Sequence, residues 1–86
     1  MKQYVHTVRD PVGIHVRPVA MIIKMAKDYP DTNIVFSCNG KEAKATSLTK
    51  LLRLGIRHGA KITIVAEGKN EDTAIIAISG FVHNHL

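Results

Sequence analysis

A histidine followed closely by an arginine and a proline is the part of this sequence best suited to chemistry. Arg17 and Pro18 come directly after the pair His15-Val16. The apolar residues that follow recur at i, i+3, i+4 and i+7, which predicts a helix over about 16–28. His15 therefore stands at the start of a helix, where unpaired backbone N–H groups and the positive end of the helix dipole favour an anion.

The chemistry that these residue types could perform is transfer of a phosphoryl group to an imidazole. A neutral imidazole nitrogen is a nucleophile near pH 7, and the planar guanidinium of Arg17 matches phosphate oxygens. Pro18 suits a first helical turn, because its missing N–H costs little there. The sequence thus predicts that His15 accepts the group and that Arg17 stabilises the product. The alternative is that His15 only begins the helix and Arg17 is a solvated charge.

The hexapeptide Gly13-Ile14-His15-Val16-Arg17-Pro18 resembles the active-site signature of HPr, the histidine-containing phosphocarrier of the bacterial sugar phosphotransferase system. The resemblance extends over essentially all 86 residues. The other segments that carry it are Asn39-Gly40-Lys41, Ala45-Thr46-Ser47-Leu48, Leu54-Gly55, Gly59-Ala60, Ile62-Thr63-Ile64 and Ala66-Glu67-Gly68. The chain departs from the usual HPr pattern at Val12 and Val16, where polar or small residues are common.

The resemblance implies that the protein carries a phosphoryl group on His15 from phosphoenolpyruvate-charged enzyme I to enzyme IIA domains for sugar uptake. It implies a cytoplasmic monomer that needs no cofactor and does not itself catalyse turnover of a small molecule. Two alternatives stay open. One is a regulatory HPr paralogue in nitrogen-related signalling or catabolite repression, and the other is a basic binding module whose histidine is incidental.

A serine before the second predicted helix is a candidate regulatory site. In Gram-positive relatives of HPr the serine at the position of Ser47 is phosphorylated by an ATP-dependent kinase, so the resemblance adds an HPr kinase as a further partner. A phosphate at a helix N-terminus would be well accommodated. The following Leu48-Thr49-Lys50 differs from the usual regulatory sequence, which favours the simpler interpretation that Ser47 is an N-cap.

The resemblance also implies a docking surface for partner proteins, formed by exposed residues of the short second helix beside His15. The residues assigned to this docking surface are Ala20, Leu48, Thr49, Leu52 and Arg53. Leu48 and Leu52 are expected to supply its exposed apolar contacts.

Alternating and helical patterns predict the element order β-α-β-β-α-β-α. Strands are expected over 4–8, 33–38, 42–45 and 61–67, and helices over about 16–28, over 47–53 and from a cap at 70–72 nearly to 86. The pair Asn39-Gly40 predicts a hairpin turn, and Gly55 is expected at C′ of the second helix. Apolar stripes on every helix predict a single α+β domain over 1–86. The resemblance makes it an open-faced β-sandwich, a four-stranded antiparallel sheet covered on one face by three helices.

Composition narrows the classes of partner. The net charge of +5 suits a protein that meets anionic surfaces. Scattered lysines and arginines and an aromatic content of only 5% argue against nucleic acid and favour an acidic partner protein. No run of about 18 apolar residues is present, so no membrane insertion is expected.

The remaining chemically active side chains are expected to be structural. The single cysteine, Cys38, excludes an internal disulfide and alternates with Ile34 and Phe36 on one strand face, which predicts a core position. His6 shares a strand face with Tyr4 and Val8 and is expected to be a partly buried structural histidine. His58, His83 and His85 lack the clustering that metal ligands need, so no metal site is expected.

Overall fold

The structure is a computed structural model that describes residues 1–11, 13 and 16–86. Its elements are β1 (Lys2–Thr7), α1 (Val16–Lys27), β2 (Thr32–Cys38), β3 (Lys41–Lys44), α2 (Leu48–Arg53), β4 (Lys61–Gly68) and α3 (Glu71–His85). Their order matches the predicted β-α-β-β-α-β-α. β1 begins at Lys2 rather than at residue 4, because its pairing with β4 extends as far as Lys2 opposite Ala66.

The four strands form one antiparallel sheet in the order β1-β4-β2-β3. β2 and β3 form the predicted hairpin, and its turn residues Asn39 and Gly40 have φ angles of 54° and 78°. Two successive positive φ angles give the turn the twist that antiparallel strands need, and asparagine followed by glycine is the pair that best tolerates them. The sequence signal at the hairpin is therefore confirmed.

The core lies between one face of the sheet and the three helices. α1 packs against both α2 and α3, α3 covers β1 and β4, and α2 contacts β3. The largest fully buried side chains are Phe36, Ile22, Leu51, Ile62, Ile64, Ile78, Val8, Val19 and Val82. Residues on the opposite side of β1, such as Gln3, Val5 and Thr7, are exposed. The helices thus cover a single face, as the open-faced β-sandwich requires.

The helix ends largely follow the sequence signals. Ser47 is the N-cap of α2, and its Oγ accepts a hydrogen bond from the Lys50 N–H over 3.4 Å. Gly55, with a φ of 69°, follows the C-cap of this helix as expected. Asn70 is the N-cap of α3, as predicted, but its side chain makes no capping hydrogen bond. The Asn70 backbone N–H donates to Thr32 Oγ1 instead, over 3.1 Å, and ties α3 to β2.

Two of the side chains expected to be structural, Cys38 and His6, are buried. Cys38 is buried on the core face of β2, as predicted. His6 is only 5% exposed, so the expectation of a partly buried histidine underestimated its burial. In the described part of the chain, no helix is long and apolar enough to cross a membrane.

Candidate functional site

The predicted site lies at the N-terminal end of α1. The helix begins at Val16, and its first turn contains Arg17, whose side chain is exposed, and Pro18, which is buried. No acidic side chain lies in this turn, so no residue of the first turn itself opposes the positive end of the helix dipole. The acidic residue nearby is Asp10, which lines the adjacent cleft. His15, together with Val12 and Ile14, lies outside the described residues. The described part of the site is thus an electropositive helix start with an accessible guanidinium.

Gly13, three residues before this helix, lies directly against the connection between α2 and β4. Its φ is +82°, and a Cβ on this residue would lie 2.6 Å from the Ile56 carbonyl oxygen and 2.9 Å from the Arg57 Cα. Both distances are too short for any side chain, and the backbone conformation itself favours glycine. The Gly13 N–H also donates to the Asp10 carbonyl over 3.0 Å. The backbone of Gly13 therefore has no room for a side chain beside Ile56 and Arg57.

A shallow cleft of about 400 Å³ lies beside Arg17, between α1 and α3. It is lined by Asp10, Arg17, Pro18, Met21, Phe81 and His85. The His85 ring stacks on Phe81 with centroids 4.4 Å apart and an interplanar angle of 28°. The cleft therefore combines apolar side chains with Arg17, His85 and the acidic residue Asp10. Sequence reasoning gave His85 no role, although its i, i+4 spacing from Phe81 was a signal for contact between the two rings.

The end of α3 is attached to the segment that follows β1. The backbone N–H groups of Arg9 and Asp10 donate to the Leu86 carbonyl over 2.6 and 3.0 Å. The Arg9 guanidinium donates to the His83 carbonyl. A cation beside the last carbonyls of a helix is favourable, because these carbonyls carry the negative end of the dipole. This attachment brings α3 to the cleft, since Asp10 and His85 both line it.

Four of the five residues predicted for the docking surface are exposed. Leu48, the first residue of α2, is 41% exposed, and Ala20, Thr49 and Arg53 are exposed as well. The expectation for Leu52 is wrong in part, because its side chain is half-buried and packs against the core. In a helix of only two turns that packs against a neighbouring helix and a strand, little of its surface stays free.

Two exposed apolar side chains of α1 were missed by sequence reasoning as surface features. Val16 is 57% exposed and Met21 is 44% exposed. Met21 lines the cleft between α1 and α3, and Val16 is the first residue of α1. The signal was available in the helical periodicity, since neither residue falls on the buried stripe of Val19 and Ile22.

Ser47 is half-buried at the start of α2. The hydrogen bond that its Oγ accepts is that of an N-cap, so this structural role is confirmed. Its phosphorylation stays a prediction. Among the described residues, no group of three or more histidine, cysteine, aspartate or glutamate side chains could hold a metal ion.

Comparison with known proteins identifies the family. A family model described as the PTS HPr component phosphorylation site matches residues 2–84. The chain belongs to the HPr family. The phosphocarrier protein HPr of Mycoplasma pneumoniae is 38% identical over 85 residues, which cover 99% of this chain and 97% of the relative. As an HPr-family member, the protein is a phosphocarrier of the phosphotransferase system.

Solved HPr structures share the fold. A histidine-containing phosphocarrier protein from Mycoplasma superposes with a TM-score of 0.91 at 30% identity, covering 96% of this chain and 93% of its own. The Bacillus subtilis catabolite-repression protein Crh, solved as an intertwined dimer with a swapped domain, superposes with a TM-score of 0.77 at 26% identity. This match covers 100% of this chain and 98% of Crh. The open-faced β-sandwich of the HPr family is thereby confirmed.

Proposed function

We propose that the protein accepts a phosphoryl group on His15 from phosphoenolpyruvate-charged enzyme I and passes it to enzyme IIA domains for sugar uptake. The observation that carries this proposal is the first turn of α1, where an exposed Arg17 and a helix N-terminus without acidic residues directly follow His15 in the chain. Both features favour an anion at this end of the helix.

The transfer step needs only the imidazole as a nucleophile. A ring nitrogen of His15 attacks phosphorus, a P–N bond forms, and the bond from phosphorus to the donor breaks with its electron pair returning to the donor. In the delivery step, a nucleophile of enzyme IIA attacks phosphorus and forms the new bond, while the P–N bond breaks and its electron pair returns to the imidazole of His15. Arg17 and the free N–H groups of the first turn stabilise the anionic product. The protein is then a substrate of its partners and not a turnover catalyst.

Pro18 and Gly13 support this arrangement without chemistry of their own. Pro18 is buried in the first turn of α1, where its fixed φ favours the helical conformation. Gly13 holds the preceding segment against Ile56 and Arg57. In the chain, His15 is thus followed by the first turn of α1 and preceded, two residues earlier, by the contact of Gly13.

Partner proteins dock on the exposed surface of α1 and α2 in this proposal. Its residues are Ala20, Leu48, Thr49, Leu52 and Arg53. An apolar patch bordered by basic side chains suits an acidic partner with an apolar centre, and the net charge of +5 would accelerate such encounters. The protein acts as a monomer in the cytoplasm and needs no cofactor.

A regulatory role is the second candidate. The similarity to Crh, a catabolite-repression protein, and the position of Ser47 at a helix N-cap favour a regulatory HPr paralogue modified by an HPr kinase. In that case Ser47, and not His15, would be the modified residue. Nitrogen-related signalling remains a variant of the same class.

A transfer assay distinguishes the two candidates. The protein is incubated with enzyme I and phosphoenolpyruvate, and an enzyme IIA domain is then added. The carrier is expected to become phosphorylated and to lose the group to enzyme IIA. A protein that is charged by a kinase and ATP but not by enzyme I would support the regulatory candidate and contradict the carrier.

A further inference from the structure

The described part of the core contains a buried histidine, His6, that the proposed function does not use. His6 lies on the helix-facing side of β1, opposite Ile62 of β4, and is 5% exposed. Its Nε2 is buried and has no hydrogen-bond partner in the described part of the chain. Burying a polar ring without satisfying it costs free energy that an apolar side chain of similar size would avoid. The position of His6 therefore requires an explanation.

The surroundings of His6 favour its neutral form. Its ring stacks on Tyr4 with centroids 6.2 Å apart, and it meets the edge of the His83 ring at 6.4 Å. Among the described residues, the titratable and charged groups that face it are Tyr4 from β1, Arg9 from the following segment and His83 from α3. Arg9 and protonated His83 are positive, so both oppose a positive charge on His6.

His6 also contacts the attachment of α3. Its ring forms a hydrogen bond with the backbone of Leu86, the residue whose carbonyl accepts the N–H groups of Arg9 and Asp10. The Arg9 side chain in turn donates to the His83 carbonyl. We call this set of contacts among Arg9, Asp10, His83 and Leu86 the α3 latch.

We propose that protonation of His6 opens the α3 latch, so that the attachment of the α3 end to the segment after β1 is sensitive to acid. A protonated His6 would place an Nε2–H donor in the core without an acceptor and a positive charge beside Arg9 and His83. Opening of the latch gives the ring access to water and removes both penalties. Because Asp10 and His85 line the cleft beside Arg17, opening also changes the shape of that cleft.

The direction of the pH dependence follows from the closed state. Burial lowers the pKa of His6 below its usual 6.5, the charges of Arg9 and His83 lower it further, and the hydrogen bond with Leu86 opposes the shift. The open state therefore binds the proton more tightly than the closed state. Opening becomes more favourable as the pH falls below 6.5, by at most about tenfold per pH unit for one proton. The equilibrium for opening levels off below the pKa of His6 in the closed state. Above pH 6.5 it does not change with pH.

Amide hydrogen exchange measured by NMR between pH 5 and 8 tests the latch. The readouts are the ring signals of His6 and the exchange rates of the Arg9 and Asp10 amides, corrected for the intrinsic pH dependence of exchange. His6→Phe keeps an aromatic ring and removes the titrating nitrogens. His83→Gln is the matched control, because it removes a titrating ring but keeps the backbone carbonyl that Arg9 contacts.

In the wild type we expect His6 to titrate below pH 6.5 and both amides to exchange faster with the same midpoint. The response should disappear in His6→Phe and persist in His83→Gln with a midpoint closer to 6.5. An equal response in the wild type and His6→Phe would assign it to another group and overturn the proposal. If His6→Phe fails to fold, the wild-type data decide. A titration midpoint of His6 at or above pH 6.5 would overturn the proposal. Amide exchange midpoints that differ from the His6 midpoint would overturn it as well. None of these readouts depends on phosphoryl transfer.

Discussion

Gly13 lies directly against the backbone of Ile56, and a Cβ on Gly13 would come within 2.6 Å of the Ile56 carbonyl oxygen. This contact joins two connections that are far apart in the chain, the one before α1 and the one after α2. Gly13 and the connection that follows α2 are thereby held against each other.

Gly13→Ala should destabilise the protein and slow phosphoryl transfer. The alanine would have to adopt a positive φ and push away the backbone of Ile56 and Arg57, and strain of this kind costs about 1 to 3 kcal/mol. Gly80→Ala is the matched control, because Gly80 lies within α3 and an added Cβ would meet no other residue there. Alanine should stabilise this helix interior by about 0.5 to 1 kcal/mol. Urea unfolding measures the stability of both variants. Equal stability of Gly13→Ala and the wild type would remove Gly13 from its positioning role.

Arg17→Ala should leave the fold intact and slow transfer. The side chain is exposed, so its removal opens no cavity, but the product loses a charge-assisted hydrogen bond of about 1.5 to 3 kcal/mol. A fall in rate of about tenfold to a hundredfold is therefore expected, with the smaller value favoured at an exposed site. Rapid-quench kinetics with enzyme I give the rate. Lys69→Ala, an exposed change on a different connection, is the control, and equal rates for the two variants would exclude Arg17 from the transfer step.

Leu48→Asp should impair exchange with partner proteins without unfolding the chain. Leu48 is 41% exposed on α2, and surface substitutions usually change stability by less than about 1 kcal/mol. Leu51→Ala on the same helix is the contrasting control, because Leu51 is fully buried and its truncation should cost about 2 to 5 kcal/mol. Titration calorimetry with enzyme IIA and thermal unfolding separate the two effects. Normal affinity of Leu48→Asp would place the docking surface elsewhere.

Substitutions of Ser47 distinguish its cap from a regulatory site. Ser47→Ala loses the hydrogen bond from the Lys50 N–H and should cost about 1 kcal/mol of stability, whereas aspartate is itself a good N-cap and should cost little. We nevertheless expect Ser47→Asp to reduce transfer through His15, because it places a negative charge beside the apolar docking surface. Stability and transfer rate are measured on both variants. Unchanged transfer in Ser47→Asp would leave Ser47 as a cap alone.

Incubation with ATP and an HPr kinase completes the test of Ser47. Because Leu48-Thr49-Lys50 differs from the usual regulatory sequence, we expect weak labelling or none. Efficient stoichiometric labelling of Ser47 would contradict this expectation and favour the regulatory candidate.

Local patterns in the sequence were sufficient to predict the order of elements. The Asn39-Gly40 turn, the Ser47 cap and the alternation of Ile62 with Ile64 each depend on residues close together in the chain, so their signals could be interpreted directly. The start of β1 could not be predicted in the same way. Its first residues alternate weakly and become a strand because β4 offers pairing partners as far as Ala66.

Features of the site that depend on distant contacts were not predictable from local patterns. The packing of Gly13 against Ile56, the position of His85 beside Arg17 and the half-burial of Leu52 all arise when separate elements meet. His6 illustrates the limit most clearly. Its strand face was evident from alternation, but the depth of its burial depends on the end of α3, which reaches it only in the folded chain.

The central claim is that His15 alone accepts the phosphoryl group from enzyme I. Its most direct test is to incubate the wild type, His15→Ala and His85→Ala with enzyme I and labelled phosphoenolpyruvate, and to map the label by mass spectrometry under alkaline conditions that preserve phosphohistidine. We predict one acid-labile phosphoryl group per chain on His15 in the wild type and in His85→Ala, and none in His15→Ala. Labelling of His15→Ala, or a label on a different residue of the wild type, would contradict the account.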